Sequence, residues 1–123
     1  MAEHSIVHVE LSSTHLAQSQ TFYRALFGWQ SQPMGADYVV LSPPSGPTGG
    51  LTPVGGSVRP GDVVIYVSTH DIPATLARVK ALGGRVVQPE TEIPGVGWYA
   101  LFHDPSGNLV GLLKAAGPGQ EPG

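Results

Sequence analysis

The chain has no cysteine. That excludes disulfides, thiolate metal sites and a cysteine nucleophile, and it fits a reducing compartment. Charge is scarce as well. Asp, Glu, Lys and Arg make up 12% of the 123 residues, against a usual quarter. Six Lys and Arg stand against nine Asp and Glu, for a net charge of -3. Six scattered cations cannot form a phosphate-neutralising patch, so nucleic acid is not an expected partner. No apolar run approaches the ~20 residues that cross a bilayer, so a membrane is not expected either. The opening MAEHS has neither the basic nor the apolar segment of a signal peptide. The expected location is the cytoplasm. There is also no P-loop, no G-x-S-x-G and no H-E-x-x-H.

What is present is a chain that repeats itself. His8–Trp29 and Val64–Gly84 each read as a strand, a polar turn, a helix and a glycine stop. The matching positions lie roughly 55 to 60 residues apart, and Gly50-Leu51 recurs later as Gly111-Leu112. With 41% hydrophobic residues the chain can bury a core in one domain.

Taken in order, Ser5–Leu11 alternates, with Val7, Val9 and Leu11 on one face and Ile6, His8 and Glu10 on the other. Ser12–Thr14 supplies candidate N-caps for a helix over His15–Phe27, with Leu16, Tyr23, Leu26 and Phe27 as its apolar stripe. Gly28 ends that helix. Strands are predicted at Trp29–Met34, Asp37–Leu41 and Gly50–Val54, with SPPSGPTGG as the loop before the last.

The second half predicts a strand at Asp62–Ser68, an N-cap at Asp71, Pro73 in the first helical turn, and a stop at Gly83-Gly84. Further strands fall at Arg85–Gln88, Trp98–Phe102 and Leu109–Leu113, the last two joined by the turn Asp104-Pro105-Ser106-Gly107. Glu90 and Glu92 lie in a connecting loop.

The expected fold class is α+β, built from two tandem βαβββ modules. A single domain covers 1–115, with module 1 at 5–54, a linker at 55–61 and module 2 at 62–114. Residues 1–4 are expected to be loose and 115–123 to form a disordered tail. Each helix should cover one sheet face: Val7, Val9 and Leu11 in the first module, Val63, Ile65 and Val67 in the second. His8, Glu10, Val64 and Tyr66 are left to line a cavity between the sheets.

The motifs HVEL, FYRALFGW (22–29), the DI-x-A-T-L-x-R-V-x-x-L-G-G pattern of 71–84 and W-Y-A-L-F-x-D-P-S-G-N-L-V-G-L-L (98–113) together resemble the vicinal oxygen chelate superfamily. Its members include glyoxalase I, the bleomycin and fosfomycin resistance proteins and the extradiol dioxygenases. The resemblance covers 5–114 and implies an open, curved, eight-stranded barrel. It also implies four metal-ligand positions, two on the first strand of each module and two on the last: His8, Gly50, Val64 and Gly111. Only His8 carries a donor. No cofactor is therefore expected, and the chain is similar to a metal-free, glyoxalase-related branch of the superfamily.

His8 reads either as a remnant ligand or general base, or as a strand histidine bonded to a neighbour such as Glu10. His103 reads as a turn residue at a rim, or as a partner for His8 and Glu10. His15 and His70 sit where they cap helices. Tyr38, Tyr66, Trp98 and Tyr99 are the aromatics available to stack on a flat ligand. The expected ligand pocket comprises His8, Glu10, Tyr66, Trp98 and His103.

Three functions stay open. One is a metal-independent binder of a small apolar or aromatic molecule. Another is a metal-dependent lyase, isomerase or dioxygenase on His8, Glu10 and His103. The last is a ligand-free dimerising domain. A homodimer is expected, with a linker that permits exchange of modules between protomers.

Overall fold

The computed structural model describes residues 3–56 and 58–116. Eight strands and two helices lie along them: β1 Ile6–Ser13, α1 Leu16–Phe27, β2 Gln30–Pro33, β3 Val39–Ser42, β4 Thr48–Pro53, β5 Val63–Ser68, α2 Ile72–Ala81, β6 Arg85–Ile93, β7 Gly97–His103 and β8 Leu109–Ala115. The fold class is α+β, with βαβββ run through twice.

Contacts divide the chain into two compact units, Val7–Ile65 and Met1–Ile6 with Tyr66–Gly123. The division falls inside β1 and β5, not in the 55–61 stretch. The reason is local hydrogen bonding. His4 N–H donates to the Ser68 carbonyl, Ser68 N–H to the Ser5 carbonyl, and Ser12 N–H to the Asp62 carbonyl.

In the first unit the strand order is β2-β3-β4-β1. β1 runs parallel to β4, pairing His8 with Thr48, Glu10 with Gly50 and Leu11 with Leu51. The period of two then sorts the side chains. Val39, Leu41 and Leu51 are fully buried, with Leu11, Leu16, Tyr23 and Trp29 packed against them. That is the face under α1. His8, Glu10 and Gly50 belong to the opposite face.

The expected helix stripe needs correction. Leu16 and Tyr23 reach the core, but Leu26 and Phe27 are 58% and 56% exposed. Phe27 instead stacks outside the sheet against Tyr23 and Trp29, with ring centroids 6.3 and 4.9 Å away. The N-cap differs too. His15 caps α1, its Nδ1 accepting from Gln18 N–H at 3.2 Å, while Ser13 Oγ accepts from the His15 N–H one step earlier. Gly28 closes the helix as expected, at φ 73°, its N–H donating to the Arg24 carbonyl.

The second unit repeats the plan as β6-β7-β8-β5. Tyr66 pairs with Gly111 and Val67 with Leu112 in parallel register. Ile72, Leu76, Ala100 and Leu112 form the core, with Val67, Val86, Trp98 and Phe102 around it. Asp71 caps α2, accepting from Ala74 N–H, and Pro73 lies in the first turn. Gly83 at φ 97° and the Gly84 N–H bonded to the Val79 carbonyl end it. Val63, expected under a helix, is 56% exposed, whereas Val64 on the other face is buried. Glu90 and Glu92 belong to β6, which runs on to Ile93 with two register shifts.

Residues 3 and 4 are not loose. The Glu3 carboxylate accepts from the Thr69 hydroxyl at 3.0 Å, from His70 N–H at 3.0 Å, and meets His70 Nδ1 at 2.9 Å. Ala115 ends β8 and Ala116 N–H bonds the Val96 carbonyl, so the expected tail does not begin there. Residues 117–123 lie outside the described residues.

Candidate functional site

On the face of the first unit turned away from α1, three side chains form a chain of hydrogen bonds. His8 Nε2 lies 2.7 Å from the Tyr38 hydroxyl, and His8 Nδ1 lies 2.7 Å from Thr48 Oγ1. Thr48 in turn donates to the Val7 carbonyl at 3.3 Å. With Thr48 donating to Val7, the matching arrangement has Nδ1–H donating to Thr48 Oγ1 and the Tyr38 hydroxyl donating to Nε2, one of the two tautomers that the ring distances allow. Burial lowers the His8 pKa, which favours this neutral ring.

Three elements bring these groups together. Residue 8 sits opposite residue 48 because β1 and β4 are parallel in that register. Tyr38 directly precedes β3, and Val40 of β3 pairs with Gly50. Gly50 is what lets the phenol in. A Cβ there would lie 2.6 Å from Tyr38 Cζ and 2.8 Å from His8 Nε2, closer than side chains approach. Tyr38 and His8 also stack, with centroids 6.3 Å apart.

The corresponding face of the second unit is built on the same glycine. The Tyr66 ring lies directly over Gly111; a Cβ at 111 would lie 2.8 Å from Tyr66 Cγ. Tyr66 is buried. Tyr99 shares this face, since Tyr99 pairs with Leu113 and Leu101 with Gly111.

Of the five residues expected in the pocket, His8 and Glu10 share the first unit's face, and Glu10 is buried at 9% exposure. Tyr66 and His103 lie on the second unit's equivalent face. His103 is at the end of β7, where Nδ1 meets Arg85 Nη2 at 2.7 Å. Trp98 is not with them. It packs on the covered face with Ala100 and Phe102, and Lys114 lies over its ring at 5.5 Å. The strand begins at Gly97, and one step of register decides which of Trp98 and Tyr99 turns to which side. Thr48 was placed in a loop by composition and is a site residue; its position opposite His8 is a matter of strand register. Tyr38 was visible only as an aromatic. Asp104 is a turn former: it accepts from Ser106 and Asn108 N–H groups and from the Asn108 amide, and these bonds, Asn108 foremost, hold its carboxyl below the usual range.

The metal positions implied by the resemblance can now be judged by their chemistry. They offer one imidazole, two glycines and a buried valine. Both ring nitrogens of that imidazole are engaged, and the space at position 50 is taken by a phenol. A divalent ion takes several oxygen or nitrogen donors, so this set does not fit one. Among the described residues no three His, Cys, Asp or Glu side chains are grouped to hold a metal. A separate cleft of about 300 Å³ lies beside α2, lined by Thr75, Arg78, Val79, Leu82, Phe102 and Asp104; it holds none of the five expected pocket residues.

Residues 8–113 match a family profile described as a glyoxalase-like domain. A candidate glyoxylase of Mycobacterium tuberculosis is 32% identical over 99 residues, covering 77% of this chain and 38% of the relative. An anthracycline biosynthesis protein of Streptomyces peucetius is 29% identical over 123 residues, covering 85% of this chain and 45% of the relative. The chain thus spans less than half the length of these curated relatives. Among solved structures, a hypothetical protein of Bacillus halodurans is similar with a TM-score of 0.76 at 12% identity, over 98% of this chain and all of that one. A methylmalonyl-CoA epimerase of Mycobacterium tuberculosis has a TM-score of 0.71 at 16% identity, over 91% of this chain and 88% of that one. These structural likenesses speak for the fold. With the profile spanning both repeats, the chain belongs to the glyoxalase-like domain family, within the vicinal oxygen chelate superfamily.

Proposed function

We propose that this protein binds a small, flat, apolar or aromatic molecule and does so without a metal. The observation that carries this reading is the His8–Tyr38–Thr48 chain above Gly50. It presents an imidazole with both nitrogens engaged and a phenol where an ion would need several open donors. Such a surface recognises shape and hydrogen-bonding edges, and phenol and imidazole rings offer faces for stacking. The anthracycline biosynthesis relatives of Streptomyces add support, because anthracyclines carry a flat fused-ring system.

The ligand lies against the His8–Tyr38 face of the first unit. The competing reading, a metal-dependent lyase, isomerase or dioxygenase on His8, Glu10 and His103, has less support, since His103 is engaged with Arg85. The proposal extends to a homodimer in the cytoplasm. The exposed Phe22, Leu26 and Phe27 of α1 support a self-association surface. Sedimentation at two concentrations tests it: a single monomer species at both would remove the dimer.

The test of binding is a fluorescence titration with a dihydroxyanthraquinone, with and without a chelator. Saturable one-to-one quenching that the chelator leaves unchanged, and that weakens at least tenfold in Tyr38→Ala, is expected. Loss of binding on chelation would replace this reading with the metal-dependent one. No saturable binding of any flat aromatic would leave the ligand-free domain.

A further inference from the structure

We infer that the cleft of about 300 Å³ beside α2 is a second ligand site, which takes a small monocarboxylate with an apolar body. Arg78 holds the carboxylate, Val79, Leu82 and Phe102 take the body, and His4 forms the side wall. The cleft lies within the second unit and shares no residue with the His8–Tyr38 face, so it goes beyond the reading above. Its volume is at the small end of ligand sites.

Helix geometry builds one wall. Thr75, Arg78, Val79 and Leu82 follow one another at helical spacing and share one side of α2. Phe102 and Pro105 stand across from them, and Gly84 lets the walls close up behind. A Cβ at 84 would lie 2.7 Å from Val79 Cγ1 and 2.8 Å from the His103 carbonyl oxygen. Leu82 is 67% exposed, an apolar side chain that an apolar ligand would cover.

The polar groups decide the charge of the ligand. Asp104 spends its carboxylate on its own turn, accepting from Ser106 N–H, Asn108 N–H and the Asn108 amide. Thr75 donates its hydroxyl to the Asp71 carbonyl at 2.9 Å. The Arg78 guanidinium has no hydrogen-bond or ion-pair partner among the described residues. A guanidinium pairs best with a planar anion such as a carboxylate, and one unspent cation balances one negative charge.

A strained backbone marks the same place. Among the described residues His4 alone, glycines aside, has a positive φ, 62°. Such a conformation persists where the surrounding bonds over-determine it. Here Glu3 is tied to Thr69 and His70, and His4 N–H to the Ser68 carbonyl. That strap carries His4 to the cleft.

The experiment is a calorimetric titration with octanoate, beside octylammonium and acetate. Octanoate is expected to bind saturably, one per chain, and about tenfold or more tightly than either control, because the first carries the opposite charge and the second has no apolar body. Arg78→Gln should weaken octanoate binding about tenfold. Lys80→Gln, on the same helix but away from the cleft, should not change it. Glycine suits the left-handed backbone, so His4→Gly keeps the strap and removes the imidazole; binding should weaken about threefold. In an NMR titration the amide shifts should centre on Arg78, Val79, Leu82 and Phe102. No saturable binding, equal binding of octylammonium, wild-type affinity in Arg78→Gln or in His4→Gly, or shifts confined to the His8–Tyr38 face would each overturn the inference. Octanoate has no aromatic ring, so failure here and failure of the anthraquinone titration are separable.

Discussion

The two modules place a glycine at the same point of their last strands and cover it with a tyrosine, yet the two tyrosines serve different ends. Over Gly111 the Tyr66 ring lies flat and buried, filling space. Over Gly50 only the tip of Tyr38 arrives, half-buried, and it ends in a hydrogen bond to His8. Duplication preserved the vacancy and the aromatic cover. It did not preserve the imidazole, because valine stands at position 64 where the first module has His8. The first module carries the His8–Tyr38–Thr48 chain; the second carries Tyr66 over Gly111 and the His103–Arg85 pair.

The sharpest way to break this comparison is to fill both glycines. Gly111→Val should be the most disruptive change, because the added carbons meet a buried ring with nowhere to go. Overpacking of this kind costs about 1–3 kcal/mol. Gly50→Ala should cost less, about 1 kcal/mol, since the phenol can swing out and the loss is mainly its hydrogen bond. Thermal unfolding of the two variants checks the order. Equal losses would mean that Tyr38 is as fixed as Tyr66.

Ligand binding should show the reverse ranking. Gly50→Ala should weaken anthraquinone binding at least tenfold in the titration, while Tyr66→Phe, which keeps the ring, should change it little. A larger effect of Tyr66→Phe would move the polar centre to the second module.

The smallest predicted effect is a pH dependence confined to the first module. Burial holds the His8 pKa below its ordinary value. Below about pH 6.5 the unfolded chain therefore binds more protons at this residue than the folded one. Stability from His8 is complete above that pH and is lost as the pH falls from there toward the lowered folded value. Melting temperatures between about pH 5 and about pH 8 should show a fall on the acid side that His8→Gln flattens. An unchanged slope would assign the fall to other groups, Glu3 among them, whose carboxyl is held low by bonds from His70 and Thr69 although burial opposes it.

Much of the fold could be read from the residues because it is written in local chemistry. Gly28 and Gly83 occur where helices must turn out of the right-handed conformation, Asp71 where a cap is needed, and Asp104–Asn108 where a hairpin folds on its own side chain. The alternation of His8 and Glu10 against Val9 and Leu11 assigned the first strand's faces. What could not be read is non-local. Thr48 becomes a partner of His8 only through a parallel register across 40 residues of chain. Trp98 and Tyr99 differ by one step on a strand whose start is set by Gly97. Glu3 is held by Thr69 and His70, more than 60 residues away. Leu26 and Phe27 fit a helical stripe by spacing, yet only Leu16 and Tyr23 pack against the core of the first unit, both of them partly buried.

The most direct measurement is elemental analysis of the protein purified without a chelator. The account predicts divalent metal far below one ion per chain, unchanged in His8→Ala. Near-stoichiometric metal that disappears in His8→Ala would contradict it.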